Sequence, residues 1–322
     1  MQLLPLVGTR FLTAWRLDVP ATVLLIGAVT AYVVGVGAAA RRGVRWLWWR
    51  TAAFLLGVGC AAVCTMSSLA VYDRVLLWPL AVQLTALLTV VPLGLALGDP
   101  VGLAAAARPL TGGRRPHRLP GRWLLRVLGF PAVAGLLAMA AQFAVFFTGY
   151  LTAALRHPAV MDLLYLQTVV TGCLFAVPLL SADLLPAWCT QPLRLTFALI
   201  DGLVDAFPGI AVMTTGPLLA GGWYGRVQRS WGPAPAWDQT IAGALMLTLS
   251  EVVALPMVVL LLRAWIREDA VHAARIDREL DEGVPDPDVP LGERTRPWWE
   301  VDPGPLAGRA ERHGWTRGEP PD

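Results

Sequence analysis

Long apolar stretches alternate with short polar ones along most of the chain. Seven stretches reach the roughly 20 apolar residues that a transmembrane helix needs, and charged or turn-forming residues bound each of them. The pattern predicts an all-α polytopic membrane protein, a bundle of seven transmembrane helices. The predicted spans are Val19–Ala40, Thr51–Tyr72, Val75–Leu97, Val127–Tyr150, Val160–Leu180, Leu193–Leu219 and Thr240–Trp265.

The pattern divides the chain into three parts. Residues 1–18 are apolar but short and contain arginine, which is typical of an interfacial segment. Residues 19–265 form the predicted seven-helix domain. Residues 266–322 begin as a charged, helix-compatible stretch and become rich in proline and acids from Gly283. This composition predicts a cytoplasmic tail that is largely disordered.

Composition supports a membrane protein and excludes two kinds of cofactor site. The chain is 56% hydrophobic and only 15% charged, outside the usual range of soluble domains. It contains no lysine, so it cannot form a retinal Schiff base. Its four histidines lie outside the predicted spans, which excludes a haem held by two histidines between those spans.

The distribution of arginine predicts the orientation. Residues 1–265 carry a net charge of +9 and residues 266–322 a net charge of −6. Arginines concentrate in the loops after the first and third spans, so the positive-inside rule places these loops and the tail in the cytoplasm and the N-terminus outside. The basic loop Leu110–Arg126 is expected to contact anionic lipid head groups, not nucleic acid. The loop arginines are Arg41, Arg42, Arg45, Arg50, Arg108, Arg114, Arg115, Arg118, Arg122 and Arg126.

Three acids occur well inside otherwise apolar spans. Asp201 and Asp205 lie one turn apart on one face of the sixth span, and Glu251 lies near the middle of the seventh, at a depth similar to that of Asp205. Acids at this depth are costly and commonly functional. One interpretation is a cation or proton site. The other is structural, with each acid hydrogen-bonded inside the bundle or Asp201 paired with Arg194.

Two cysteines share one face of the second span. Cys60 and Cys64 are four residues apart and Met66 is close by. Thiolates and thioethers are the soft ligands that favour Cu(I). Free cysteine also serves as a small packing residue, so both alternatives stay open.

A family resemblance rests on three stretches. The run SSLAVYDRVLLWPLAVQLTALLTVVPLGLALGDP (Ser67–Pro100) resembles the membrane-integral cytochrome c oxidase assembly protein family of aerobic bacteria. The resemblance continues through GCLFAVPLL (Gly172–Leu180) and WDQTIAGALM (Trp237–Met246). It implies a non-enzymatic accessory role in oxidase maturation, linked to copper delivery at the outer face of the bacterial plasma membrane. The implied partners are oxidase subunits and membrane lipid.

The chain departs from this family at the membrane histidines. Gln83 of the third span is kept, but the histidines on either side of it are not. The positions that correspond to family histidines are Leu80 and Leu84 in the third span, Met161, Tyr165 and Gln167 in the fifth, and Asp205 in the sixth.

Three alternatives for metal binding follow from these departures. A Cu(I) site could be built from Met161, Cys60, Cys64 and Met66, a carboxylate site could be built from Asp205 and Glu251, or the chain binds no metal. Tyr165, Gln83, Gln167 and Asp201 are then expected as buried polar residues. The alternative to an assembly factor is an ion- or proton-translocating membrane protein that uses Asp201, Asp205 and Glu251.

Overall fold

Helices account for nearly all the regular structure. A computed structural model describes residues 5–6, 8–107, 127–181, 185–186 and 188–282, with side chains as far as residue 278. These residues contain no β-strand, and a 3-10 turn spans Ala220–Gly222. The α-helices are α1 (Arg10–Thr13), α2 (Val19–Ala40), α3 (Trp48–Met66), α4 (Ser68–Tyr72), α5 (Leu77–Leu88), α6 (Val90–Leu97), α7 (Pro100–Ala107), α8 (Pro131–Phe147), α9 (Tyr150–Arg156), α10 (Pro158–Leu180), α11 (Gln191–Thr214), α12 (Trp223–Arg226) and α13 (Pro235–Glu282).

The helices confirm an all-α membrane bundle. Among the described residues, six helical segments are long and apolar enough to cross a membrane, and α8 with α9 makes a seventh if this bent pair is one span. The other six are Val19–Ala40, Trp48–Tyr72, Leu77–Ala107, Pro158–Leu180, Gln191–Thr214 and Pro235–Arg278.

The fourth span differs from its predicted bounds of Val127–Tyr150. Helix α8 ends at Phe147, and α9 leaves it at an angle of 65° and continues to Arg156. Thr148 has an extended backbone. Its hydroxyl donates to the Ala144 carbonyl of α8 and accepts the Tyr150 N–H of α9 at 3.2 Å. One threonine thus ends one helix and caps the next, because its side chain competes with the backbone for hydrogen bonds.

The third span is broken at Thr89, where α5 ends and α6 begins. Pro92 lies three residues further on, and a proline ring clashes with the carbonyl four residues before it, here that of Leu88. Gly172 of α10 packs directly against this carbonyl. The break in the third span and the glycine of the fifth therefore form one close contact.

Short side chains bring other spans together. Helix α10 packs against α5 and α6 and also against α8, while α3 packs against α6 and α8 packs against α11. In α11 and α13, a Cβ atom at Gly209 would lie 2.9 Å from the Gly243 carbonyl oxygen, and one at Gly202 would lie 3.3 Å from the Ala254 Cβ. The two helices are therefore packed antiparallel along their length.

The chain divides into two compact units, Met1–Trp265 and Ile266–Asp322. Everything described below lies in the first unit. The basic loop Leu110–Arg126 lies outside the described residues. The tail is described only as far as Glu282, and this part of it is helical. The contact of the loop with lipid and the disorder of the tail stay predictions, as do the interfacial character of residues 1–18 and the orientation.

Candidate functional site

Two of the predicted acids line a partly open cavity. The cavity has a volume of about 60 Å³ and lies between α5, α6, α8, α10, α11 and α13. Asp201 and Asp205 reach it from α11 and Ser250 from α13, while most of the remaining lining is apolar. The Asp201 carboxylate lies against the backbone of Gly135 in α8. The Oδ1 atom of Asp205 is buried and has no hydrogen-bond partner.

Glu251 lies beside this cavity without lining it. Its side chain is exposed on α13, yet it is close enough to Asp205 for the two acids to interact electrostatically. The predicted similarity in depth of Asp205 and Glu251 is thus seen in the structure. Within the described ranges, no group of three or more His, Cys, Asp or Glu side chains is arranged to hold a metal ion.

The soft donors lie elsewhere in the bundle. Cys60 and Cys64 are free thiols whose side chains contact each other across one turn of α3. Cys64 and Met161 are both 2% exposed and belong to one core cluster. The Thr22 hydroxyl donates to the Asp18 carbonyl at 2.6 Å and lies 3.9 Å from the Met66 sulfur. Cys64 and Met161 thus belong to the same core cluster, with Cys60 packed against it, while Met66 lies beside Thr22.

Tyr165 connects this region to a buried carboxylate. Its hydroxyl donates to Asp73 Oδ2 at 3.1 Å. Gln83, at the position kept from the family, is fully buried beside the Tyr165 phenol, but neither amide atom makes a hydrogen bond of normal geometry. Gln167 points elsewhere and accepts a hydrogen bond of 2.8 Å from the Tyr150 hydroxyl.

Asp73 is the centre of a polar network at one end of the bundle. The residue is 0% exposed, and its Oδ2 atom lies 3.4 Å from Arg16 Nη2. The Tyr224 hydroxyl donates to the Asp73 main-chain carbonyl at 2.7 Å, while the second carboxylate oxygen, Oδ1, is buried without a partner. Burial raises the pKa of Asp73, and the Arg16 guanidinium opposes this shift. Burial and the nearby Asp73 likewise raise the pKa of Tyr224.

We call the end of the bundle that contains the polar network of Asp73 the Asp73 end. The adjacent residues Asp238 and Gln239 connect neighbouring elements there through hydrogen bonds. Asp238 belongs to the first turn of α13, but it accepts the main-chain N–H groups of Leu77 and Trp78 at 2.8 and 3.2 Å and so caps α5. Arg229 lies 3.8 Å from the same carboxylate. Gln239 accepts the Leu219 N–H at 2.9 Å and donates to the Thr215 carbonyl at 3.1 Å. These two adjacent residues therefore hold the start of α5 and the loop that joins α11 to α13.

Sequence reasoning missed the roles of Asp73, Asp238 and Arg16. The signal for Asp238 was an acid in the first turn of an apolar helix, which predicts a cap on its own helix. The capped helix is instead 160 residues away in sequence. Asp73 stood in a short loop between two spans, where an acid is normally solvated. Its burial depends on Arg16, which packs there from the segment before α2.

We expect Asp73→Asn to flatten the pH dependence of stability. In the unfolded chain this carboxyl has a pKa of about 3.9, and in the fold the pKa is raised. The folded state therefore holds the proton more tightly, and stability falls as pH rises from about 4 through the raised pKa. The measurement is the thermal unfolding midpoint in detergent, from about pH 4 to pH 7. Equal slopes in the variant and the wild type would contradict the assignment.

Comparison with known proteins gives the family. The model of the cytochrome c oxidase caa3 assembly factor family (Caa3_CtaG) matches residues 30–268. The chain is 29% identical over 294 residues to uncharacterized protein Mb0105 of Mycobacterium bovis and to uncharacterized protein MT0111 of Mycobacterium tuberculosis, covering 87% of this chain and 43% of each relative. Uncharacterized protein ML1998 of Mycobacterium leprae is 27% identical over 297 residues, which is 87% of this chain and 44% of that protein.

The match follows the membrane part of the structure. The chain spans less than half the length of these curated relatives, and no solved structure matches it. The matched residues run from within α2 to within α13, so they include Asp73 and Asp238 but not Arg16, and they include the cavity and both cysteines of α3. By this match over most of its length, the chain belongs to the cytochrome c oxidase caa3 assembly factor family.

Proposed function

We propose that the chain is a non-enzymatic accessory factor in the assembly of cytochrome c oxidase and acts through its membrane bundle. The observation that carries this proposal is the family match over residues 30–268. It supports an assembly role over the alternative of ion or proton translocation through Asp201, Asp205 and Glu251. The buried network at the Asp73 end fits a role in which a fixed surface is presented to another membrane protein, since it joins four separate segments of the chain.

Deletion of the chain in its host tests the proposal. We expect the amount of assembled oxidase, measured from the haem a absorbance of membranes, to fall severalfold, and expression of the intact protein to restore it. The b-type cytochromes of the same membranes serve as the control and should not change. An unchanged haem a absorbance in the deletion strain would contradict the proposal.

A finer part of the proposal concerns copper and the outer face. We propose that the Asp73 end faces outward, because the arginine-rich loops that contain Arg41, Arg42 and Arg45 belong to the opposite end. Copper would then be handled as cargo near this end, where Cys64 and Met161 share a core cluster. Soft sulfur donors suit Cu(I). Two thiols and a thioether, without a larger ligand group in the described ranges, fit transient transfer better than storage.

A cysteine substitution tests the copper part separately. We expect Cys60→Ser with Cys64→Ser to lower the copper-to-haem ratio of purified oxidase, because a hydroxyl is a poor ligand for Cu(I). Cys173→Ser, at a half-buried cysteine of α10, is the matched control and should leave the ratio unchanged. If both variants give the wild-type ratio, copper does not pass through these thiols, and the assembly proposal still stands on the deletion result.

A further inference from the structure

Helix α13 carries an ionisable side chain halfway along its apolar part. Trp237 and Trp265 are 61% and 37% exposed, and each lies 14 residues from Glu251. At a rise of 1.5 Å per residue, the tryptophans are about 42 Å apart along the helix. This matches the roughly 40–45 Å thickness of a bilayer that includes both headgroup regions, where tryptophan is enriched. Glu251 therefore lies near the middle of the bilayer.

The Glu251 side chain points away from the bundle interior. The inward face of α13 is formed by buried residues such as Ser250, Met257 and Leu261. Glu251 is exposed and forms no hydrogen bond or ion pair within the described part of the chain. Its exposed neighbours are apolar apart from Thr248, whose hydroxyl donates to the Ala244 carbonyl at 2.9 Å. Lipid alone would therefore leave the carboxyl without a hydrogen-bond donor. We call this surface the Glu251 strip, and it consists of Glu251, Val252, Leu255 and Val259.

The surroundings of Glu251 are acidic. Asp205 interacts with it electrostatically, and Asp201 lies one turn from Asp205 in α11. In these two helices, the arginines nearest to the acids are Arg194 and Arg263, 7 and 12 residues along the helix from Asp201 and Glu251. These separations correspond to about 10 and 18 Å. Of the described residues in α11 and α13, none offers a basic group at the depth of Glu251.

This charge distribution selects the kind of partner. A second copy of the chain would bring another Glu251 and Asp205 to the same depth, and like charges repel strongly where water is scarce. A helix with a basic side chain at mid-membrane would neutralise Glu251, and ionisable residues within membranes normally pair in this way. The exposed apolar residues of the strip, Val252, Leu255 and Val259, provide the helix-packing surface beside such a pair.

We propose that the Glu251 strip is a docking surface for a transmembrane helix of an oxidase subunit, and that this helix brings a basic side chain to the Glu251 carboxyl. The identity of the partner rests on the proposed assembly function, whereas the position of the surface rests on α13 itself. The contact deepens the proposed function by naming where the client binds the factor.

Photo-cross-linking in cells tests this inference. A benzophenone amino acid replaces Leu255, which is 66% exposed on the strip, or Val34, which is 60% exposed on α2 and serves as the matched control. We expect the Leu255 position, but not the Val34 position, to cross-link to an oxidase subunit identified by mass spectrometry. Adding Glu251→Leu should lower the yield by about five- to tenfold, the order expected for a polar contact between helices in lipid.

Several results would overturn the inference. A cross-link from the Leu255 position to a second copy of the chain, or to lipid only, would show that no oxidase helix docks there. A yield that Glu251→Leu does not change would remove the role of the carboxyl. If Glu251→Leu fails to accumulate in membranes, the identity of the Leu255 cross-link still decides the outcome. With any of these results, loss of oxidase in the deletion strain would leave the assembly function standing.

Discussion

Replacing Asp238 with alanine is expected to lower the free energy of unfolding by about 3–5 kcal/mol, the range for breaking a buried ion pair by removing one partner. The substitution leaves the N–H groups of Leu77 and Trp78 buried without an acceptor, and it leaves Arg229 without its carboxylate. Because α5 begins at Leu77, the loss should loosen the start of the third span. The measurement is the thermal midpoint of the detergent-solubilised protein, together with oxidase assembly in cells.

A second capping acid provides the control for Asp238→Ala. Asp18 caps its own helix, α2, by accepting a single N–H from Ala21 at 3.0 Å, and it is only half-buried. Asp18→Ala is therefore expected to cost about 1 kcal/mol, the usual value for losing a local N-cap. The account is contradicted if the two alanine variants are destabilised equally, since Asp238 would then contribute no more than a local cap.

Gly172→Ala is expected to destabilise the bundle although the change adds one methyl group. A Cβ atom at this position would overlap the Leu88 carbonyl oxygen and lie 2.9 Å from the carbonyl carbon. Both atoms are main chain at the break between α5 and α6, so neither can move aside without shifting a helix. Overpacking of this kind typically costs about 1–3 kcal/mol, and the thermal midpoint measures it.

A glycine in open surroundings is the matched control for Gly172. Gly27 lies within α2, and a Cβ atom there would meet no atom within 4 Å. Gly27→Ala should therefore be neutral or stabilising by up to about 1 kcal/mol, because alanine is the better helix former. Opposite signs for the two substitutions are the expected result. If Gly27→Ala also lowers the thermal midpoint, the loss at Gly172 cannot be assigned to its close contact with the Leu88 carbonyl.

Much of the fold could be predicted from the sequence because span length and hydropathy are local properties. The seven apolar stretches correspond to the helical segments of the bundle. Because consecutive spans cross in opposite directions, successive loops lie at opposite ends of the bundle. The breaks at Thr89 and Thr148 were not predicted. They depend on a proline three residues away in one case and on a threonine that caps two helices in the other, and an apolar stretch shows neither.

Some features of the candidate site could likewise be predicted from the sequence, and others could not. The shared depth of Asp205 and Glu251 could be read from position along two predicted spans. The burial of Asp73 and the capping of α5 by Asp238 could not, because both depend on contacts between segments 57 and about 160 residues apart in sequence. Hydrophobic periodicity carries no information about such contacts.

The orientation of Glu251 also required the structure. Its depth in the seventh span was evident from the sequence, but a residue at that depth can face the bundle or the lipid. The packing of Ser250 and Met257 against the interior turns Glu251 to the exposed side. One of the two interpretations of the sequence placed Glu251 in a site with Asp205; in the structure its side chain is exposed on α13.

The central claim is that the chain acts on oxidase assembly after the subunits are made. Pulse-labelling of oxidase subunits in the deletion strain, followed by native gel separation of the labelled complex, tests it most directly. The account predicts that the subunits are synthesised at the wild-type rate, that label enters the assembled complex severalfold more slowly, and that the intact protein restores the rate. Label that enters the complex at the wild-type rate, or a fall in subunit synthesis that accounts for the whole deficit, would contradict it.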